Sequence, residues 1–470
     1  MIWPIRYSQI SLMFIFLVLI IHYTFFPQYI IPFEILFFGI SVIIMFYVGL
    51  NYFSRRWSRI NEKIFIKKLF VTSFFIKLFF FAATLLLIYL VNPNDFPFEI
   101  GGGADSTYYH HVASKIAGKI FSSNLSDVLS HWYKQTGDYG YPIYLGFFYH
   151  FIGNDSILVR IISLLISSLT VVLVYKLARK IYNEKIGRFA GILTMLMPPL
   201  LWFDTALLKE SIMIFLIVLN LYGLSEIVLS RNFRVVNIVL TVIPLFLLFF
   251  FRSANAWLLI FVSMLYLLLN LSNRRISKPI ILFSFLIIAI ILSNWVVNTQ
   301  ALEELELMVE QSDTIMEDDL KLSALSRGVN LTNITVIPFI FAGAILTPFP
   351  SLLYIDQGHI VMVSHFFNEL IRNSLYFFAF LGIWVSYKKR FKESSLIILY
   401  TLGYIFILAI ANKSFQDRFV LPSLPGIIIL ISTGLAGGGI HLKKWKFYLI
   451  FVGLAIILWN LFKLNIRGLI

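Results

Sequence analysis

The sequence predicts an all-α fold, a polytopic membrane helical bundle of about 13 transmembrane helices with interfacial helices in its first extracytoplasmic loop. Three observations carry that reading. Of the 470 residues, 59% are hydrophobic and only 13% charged, where a soluble domain carries about 25% charged residues. Apolar runs of roughly 17 to 25 residues recur from end to end, the length that crosses about 30 Å of hydrocarbon. Between those runs the basic residues fall in clusters on every second loop, as the positive-inside rule requires.

Taken in order, spans are expected near 8–26, 33–50, 69–91, 157–176, 189–203, 207–229, 236–251 and 253–271. Five more follow near 279–298, 367–387, 394–411, 419–436 and 447–463. The first run lacks a small-residue cleavage site and is followed at once by a second, so it reads as a retained span. The loop after the second span holds Arg55, Arg56, Arg59, Lys63, Lys67 and Lys68, which makes it cytoplasmic. The alternation then places Arg179–Arg188, Arg231–Arg234, Arg274–Lys278, Lys388–Lys392 and Lys443–Lys446 on the same side. It holds only if two short, Pro-containing stretches, Tyr141–Gly153 and Ile334–Phe349, are re-entrant or interfacial pieces. Irregular backbone at membrane depth is tolerated where it faces protein or a wet cavity.

Most Asp and Glu residues fall on or near the opposite, outer face. Acids are weak topogenic signals, so their asymmetry asks for another cause. Much of it lies in two long outer loops, 92–156 and 299–366. Loops of such length in a compact protein are usually functional. The chain therefore divides into 1–68, two N-terminal spans with a basic loop; 69–298, a core holding the first long loop; 299–366, the second long loop; and 367–470, the C-terminal spans.

The first long loop runs through Gly101-Gly102-Gly103-Ala104-Asp105-Ser106-Thr107-Tyr108-Tyr109-His110-His111. The glycines let the backbone turn sharply as it leaves the span. Asp105 stands where a helix N-cap is expected, because Tyr108, Tyr109, Val112, Ile116 and Ile120 follow at helical spacing. Such a helix is too short and polar to span and should lie along the interface. By itself, Asp105 reads as a helix cap beside the lipid surface.

Its surroundings add a further reading. After Asp105 come a Tyr-rich interfacial helix, a second amphipathic piece, Gly140-Tyr141-Pro142-Ile143-Tyr144, and then Arg160-Ile161-Ile162-Ser163 at the head of a span. A turn from Pro198 to Glu210 follows. Late in the chain stands Asp417-Arg418-Phe419-Val420-Leu421-Pro422. This order resembles the GT-C glycosyltransferases, in particular the branch holding protein O-mannosyltransferases and the lipid A aminoarabinose transferase. Each motif is loose, and their order carries the resemblance. Ser106 stands where that branch often has a second acid, two spans precede its usual first one, and no large soluble C-terminal domain is read.

The resemblance implies a donor sugar on a polyprenyl phosphate, an acceptor that is a glycan, lipid or protein, inversion at the anomeric carbon, and action at the outer face. An acceptor must lose a proton, and a carboxylate within hydrogen-bonding reach can take it. Asp105 is the expected catalytic base, with Glu210, Tyr108, Tyr109, His110 and Tyr141 as supporting or acceptor-region residues. The leaving phosphate needs preplaced cations. Arg252, Arg418, Lys209 and Arg372 break the positive-inside pattern and are the candidates. Each also has a plainer reading, as a local pair at a helix end or as interfacial snorkelling.

No His-x-x-x-His or carboxylate triad supports a metal; no cofactor is expected, and a divalent metal stays open without a clear ligand motif. The absence of Cys excludes thiol chemistry and disulfides. The net charge of +14 is accounted for by the loop clusters, so no nucleic acid partner is expected. The acidic stretch Glu303–Asp319 reads as a solvated amphipathic helix, or as a lid or docking surface. Two other functions remain open: an O-antigen-type polymerase or ligase, which shares the lipid-linked donor, and a lipid or solute transporter. A transporter should show internal repeats with paired broken helices, and none is visible. Richness in Phe, Ile and Lys points to a bacterial plasma membrane.

Overall fold

The computed structural model describes residues 3–99, 105–120, 140–230, 234–270, 365–410, 417–437 and 442–466. Among the described residues the structure is helical and contains no strand. Nine helices are long and apolar enough to cross a membrane, or ten if one bent pair counts as a span. The expected span at 279–298, the whole second loop to residue 364 and the amphipathic piece at 121–139 lie outside the described residues.

Helices α1 (Ile5–Phe25), α2 (Phe33–Arg56) and α3 (Glu62–Val91) open the chain. At 30 residues, α3 is about 45 Å long at 1.5 Å per residue. Its first turn is capped by Asn61, whose side chain accepts from the Lys63 amide. Then come α4 (Asp105–Ala117) and α5 (Gly140–Ile152), two short helices packed on each other. Helix α5 occupies the stretch expected to be re-entrant or interfacial. Asp155 starts α6 (Ser156–Ile181) by accepting from the Ile157 and Leu158 amides, which satisfies donors that a helix start leaves orphaned.

The expected span at 189–203 is two helices, α7 (Glu184–Leu196) and α8 (Pro198–Thr205), bent by 50°. Pro198 and Pro199 fill the first positions of α8. Proline fits a helix start but cannot continue a preceding helix, so the direction changes there. Helices α9 (Glu210–Leu229), α10 (Val235–Phe251) and α11 (Ser253–Asn270) follow. With 17 residues, α10 falls among the shorter apolar helices.

Helix α12 (His365–Ile410) runs 46 residues but breaks at Arg390, where φ is −150° and ψ is 42°. The break falls where the basic loop between two expected spans was placed. The Arg390 guanidinium donates to the carbonyls of Ile181 and Tyr182, meeting acceptors that α6 leaves unpaired at its end. Short α13 (Asp417–Val420), α14 (Leu424–Gly437) and α15 (Leu442–Ile466) complete the bundle.

Helix α14 is the most enclosed of the candidate spans. It packs against α12 through small residues: a Cβ on Gly382 would lie 1.9 Å from the Leu430 carbonyl oxygen, and one on Gly434 would lie 2.0 Å from that of Phe378. Only glycine permits such an approach, a common device where helices meet in a membrane.

Candidate active site

Three helix starts meet at one end of the bundle. Asp105 stands in the first turn of α4, Glu210 begins α9, and Arg418 lies in α13 just ahead of α14. The Arg418 guanidinium joins them. Its Nε donates to Glu210 Oε1 at 2.5 Å, and its Nη1 donates to Asp105 Oδ2. The partners are 208 and 313 positions away in sequence. Charge-assisted bonds of this kind are about twice as strong as neutral ones.

The two carboxylates differ in access. Glu210 has a side chain only 1% exposed, whereas that of Asp105 is 53% exposed. Glu210 therefore acts as the internal anchor of Arg418, and Asp105 is the group a ligand could reach. Glu210 also keeps Oε2 buried with no hydrogen-bond partner.

Arg252 occupies the turn between α10 and α11 and joins the same cluster. Its guanidinium lies over the Phe419 ring at 5.1 Å and donates to the Tyr404 hydroxyl. Tyr404 in turn donates to the Phe419 carbonyl at 2.9 Å. These contacts fix the backbone beside Arg418. Gly140 allows α5 to start against this turn, since a Cβ there would lie 2.5 Å from the Phe250 carbonyl oxygen.

Aromatic residues pack beside these charges. Tyr109 and Tyr141 meet edge to face, centroids 5.2 Å apart, an arrangement aromatic quadrupoles favour. Tyr109 lies within electrostatic range of Arg418, as Tyr141 does of Glu210. Burial pushes the Tyr141 hydroxyl well above its usual pKa, so it stays protonated. Tyr108 is half-buried beside Tyr109. Ser106, at the position of the branch's second acid, is buried rather than facing Asp105's open side.

His110 shares a 2.7 Å hydrogen bond with the Tyr149 hydroxyl. Burial, then the charges of Arg160 and His111, lower its pKa. Lys209 is buried at the start of α9 beside Glu210. Arg372 is buried in α12 with its guanidinium 5.9 Å from the Tyr376 ring centre. The contacts described thus bring Asp105, Glu210, Arg252, Arg418, Tyr109 and Tyr141 into one cluster, with His110 behind them.

Two features carried no site role in the sequence reading. Arg160, in the first turns of α6, is buried and donates to the Pro97 carbonyl at 2.9 Å. It sits over the rings of Phe81 and Phe98, with Glu99, Tyr141 and Tyr149 in electrostatic range. Its position near the head of an apolar run was the available signal. The second feature is a buried ion pair, Lys77 to Asp204 at 2.7 Å. Lys77 also donates to Ser167, and Ser211 donates to Asp204, each at 2.8 Å. The pair ties α3, α6, α8 and the first turn of α9 together, directly behind Glu210.

Among the described residues no group of three or more His, Asp or Glu side chains could hold a metal ion. No curated protein matches the chain. Residues 140–297, about a third of the chain, match the Dolichyl-phosphate-mannose-protein mannosyltransferase family. That stretch holds Glu210, Arg252 and Arg160, while Asp105 and Arg418 lie on either side of it. Taken with the apolar helical bundle, the match supports a multi-pass membrane protein that is a glycosyltransferase of the GT-C type.

Proposed function

We propose that the chain moves a sugar from a polyprenyl-phosphate-linked donor to an acceptor hydroxyl or amine at the extracytoplasmic face, with inversion at the anomeric carbon. The observation that carries this reading is the Asp105–Arg418–Glu210 bridge, which puts an accessible carboxylate on a guanidinium held from behind. In this reading the acceptor attacks the anomeric carbon and passes its proton to Asp105. The bond from that carbon to the phosphate oxygen breaks, and its electron pair stays with the polyprenyl phosphate. Arg418 and Arg252 receive that charge. Such donors, placed in advance, need no reorganisation as charge develops.

The resting contact between Asp105 and Arg418 gives an order of events. Donor phosphate takes the Arg418 amino group that Asp105 now occupies, and this frees Asp105 to accept a proton. Glu210 keeps the guanidinium in place through the exchange. Tyr109 and Tyr141, buried and packed edge to face, back the cluster from the protein side. The positive-inside pattern of the basic loops supports an extracytoplasmic position for this end of the bundle.

The test is Asp105→Asn in the full-length protein. Turnover should fall about 10²–10⁴-fold, the range for loss of a general base. Lipid mass spectrometry should then show polyprenyl-phosphate sugar accumulating in cells and still bound to the purified variant. A variant that turns over normally, or one that loses the lipid as well, removes Asp105 from the role of base.

A further inference from the structure

The end of α14 opposite Arg418 carries a second charged feature, about 20 Å along a 14-residue helix. There a cavity of about 510 Å³ opens between the segment of α12 ahead of its break and the start of α15. It is lined by apolar Phe377 and Phe380 and, further along α12 and on α15, by Trp384, Lys388, Lys389 and Lys444. Among the described residues no acidic side chain lines it. All three lysines are exposed, so they present an accessible positive patch beside an apolar recess, a match for an anionic headgroup with an acyl chain.

Nearby contacts explain why these lysines face the recess. Arg390, the next cation after Lys389, is committed to the carbonyls at the end of α6. Glu393, the next acid along α12, lies in electrostatic range of Tyr266 in α11. On α15, Trp445 is fully buried and donates to the Ser374 carbonyl at 2.9 Å. That anchor fixes the rotation of the helix and leaves the adjacent Lys444 at the recess. Lys388 extends over Trp384, its ammonium 4.3 Å from the ring centre. Tryptophan prefers the membrane–water boundary, so the lysines stand at headgroup level and the phenylalanines at acyl-chain level.

We propose that this recess binds an anionic phospholipid, its phosphate held by Lys388, Lys389 and Lys444 and one acyl chain lying against Phe377 and Phe380. Basic pockets between membrane helices take acidic headgroups by this charge matching. The site is independent of the sugar-transfer reading. It joins α15 to the kinked helix through a lipid, where the protein's own contacts leave a gap.

Native mass spectrometry of the detergent-purified full-length protein tests it, with phosphatidylglycerol or phosphatidylcholine added. Phosphatidylglycerol should give a saturable adduct, and phosphatidylcholine should bind far more weakly. Each lysine near an anionic surface is worth about fivefold in affinity. K388Q/K389Q/K444Q should therefore bind phosphatidylglycerol about a hundredfold more weakly, and K444Q alone about fivefold, should the triple variant fail to fold. K63Q/K67Q/K68Q removes the same charge from another exposed cluster and should bind as the parent does. Equal loss in both triple variants, or equal binding of the two lipids, overturns the proposal.

Discussion

Replacing Lys77 by methionine strips one member of a buried ion pair and leaves the other in place. Lys77 and Asp204 have side chains only 2% and 6% exposed. The substitution leaves the Asp204 carboxylate with the Ser211 hydroxyl as its remaining described donor. Breaking a buried pair by removing one partner costs about 3–5 kcal/mol, because an uncompensated charge stays inside. Replacing both members by apolar residues of similar volume is often neutral or stabilising. K77M and D204L should each lose about 3–5 kcal/mol, and K77M/D204L should return to within about 1 kcal/mol of the parent. The coupling free energy, about 5 kcal/mol or more, far exceeds what independent sites show. Titration of the purified protein with SDS from mixed micelles reads the stabilities. If the double variant loses as much as the two single variants together, the charges do not compensate each other and the reasoning fails. Sugar transfer measured alongside separates roles: a stable double variant that transfers normally makes the pair a structural tie behind Glu210.

Gly382→Ala and Gly434→Ala each place a methyl group about 2 Å from a facing carbonyl oxygen, so α12 and α14 must part; a loss of at least about 1–3 kcal/mol is expected in the same titration. Glu210→Gln removes the charged acceptor behind Arg418, and a hydrogen bond to a charged group is worth about 1.5–3 kcal/mol. Transfer should fall about tenfold to a hundredfold in kcat/KM, with normal values excluding Glu210 as the anchor. His110 carries the expected pH dependence. Its folded pKa lies below the ordinary 6.5, so between those two values the unfolded chain binds more protons and stability rises with pH. Stability should be flat above about pH 6.5 and decline as pH drops beneath it, and His110→Gln should flatten that slope.

The sequence exposed the charges that stand at helix ends and hid the ones inside helices. Asp105, Glu210, Arg252 and Arg418 are legible because each interrupts an apolar run at its border, where the positive-inside pattern makes a cation conspicuous. Which of them touch could not be read, since the contacts span 208 and 313 positions and depend on how α4, α9 and α13 are packed. Lys77 was averaged into a strongly apolar window, and its partner lies 127 residues on. Charges were weighed by membrane face, which gives no sign of a pair buried between helices. The bend at Pro198 was likewise absorbed into one expected span, although Pro-Pro after an apolar run is a recognised stop. Conversely, the basic stretch at Lys388–Lys392 marked the break in α12, because a cluster of cations must leave the hydrocarbon.

The Arg418 bridge has a consequence for how the protein is made. Its three members are synthesised at widely separated times: the first long before the middle one, the last after most of the chain has been delivered to the bilayer. A nascent chain that has inserted its first eight hundred ångströms of backbone, roughly, already possesses the carboxylate and its buried neighbour, yet lacks the guanidinium that unites them. On the proposed function, reactivity toward a lipid-borne sugar would thus switch on only at the close of assembly, and partly inserted chains would be inert toward the substrate pool around them.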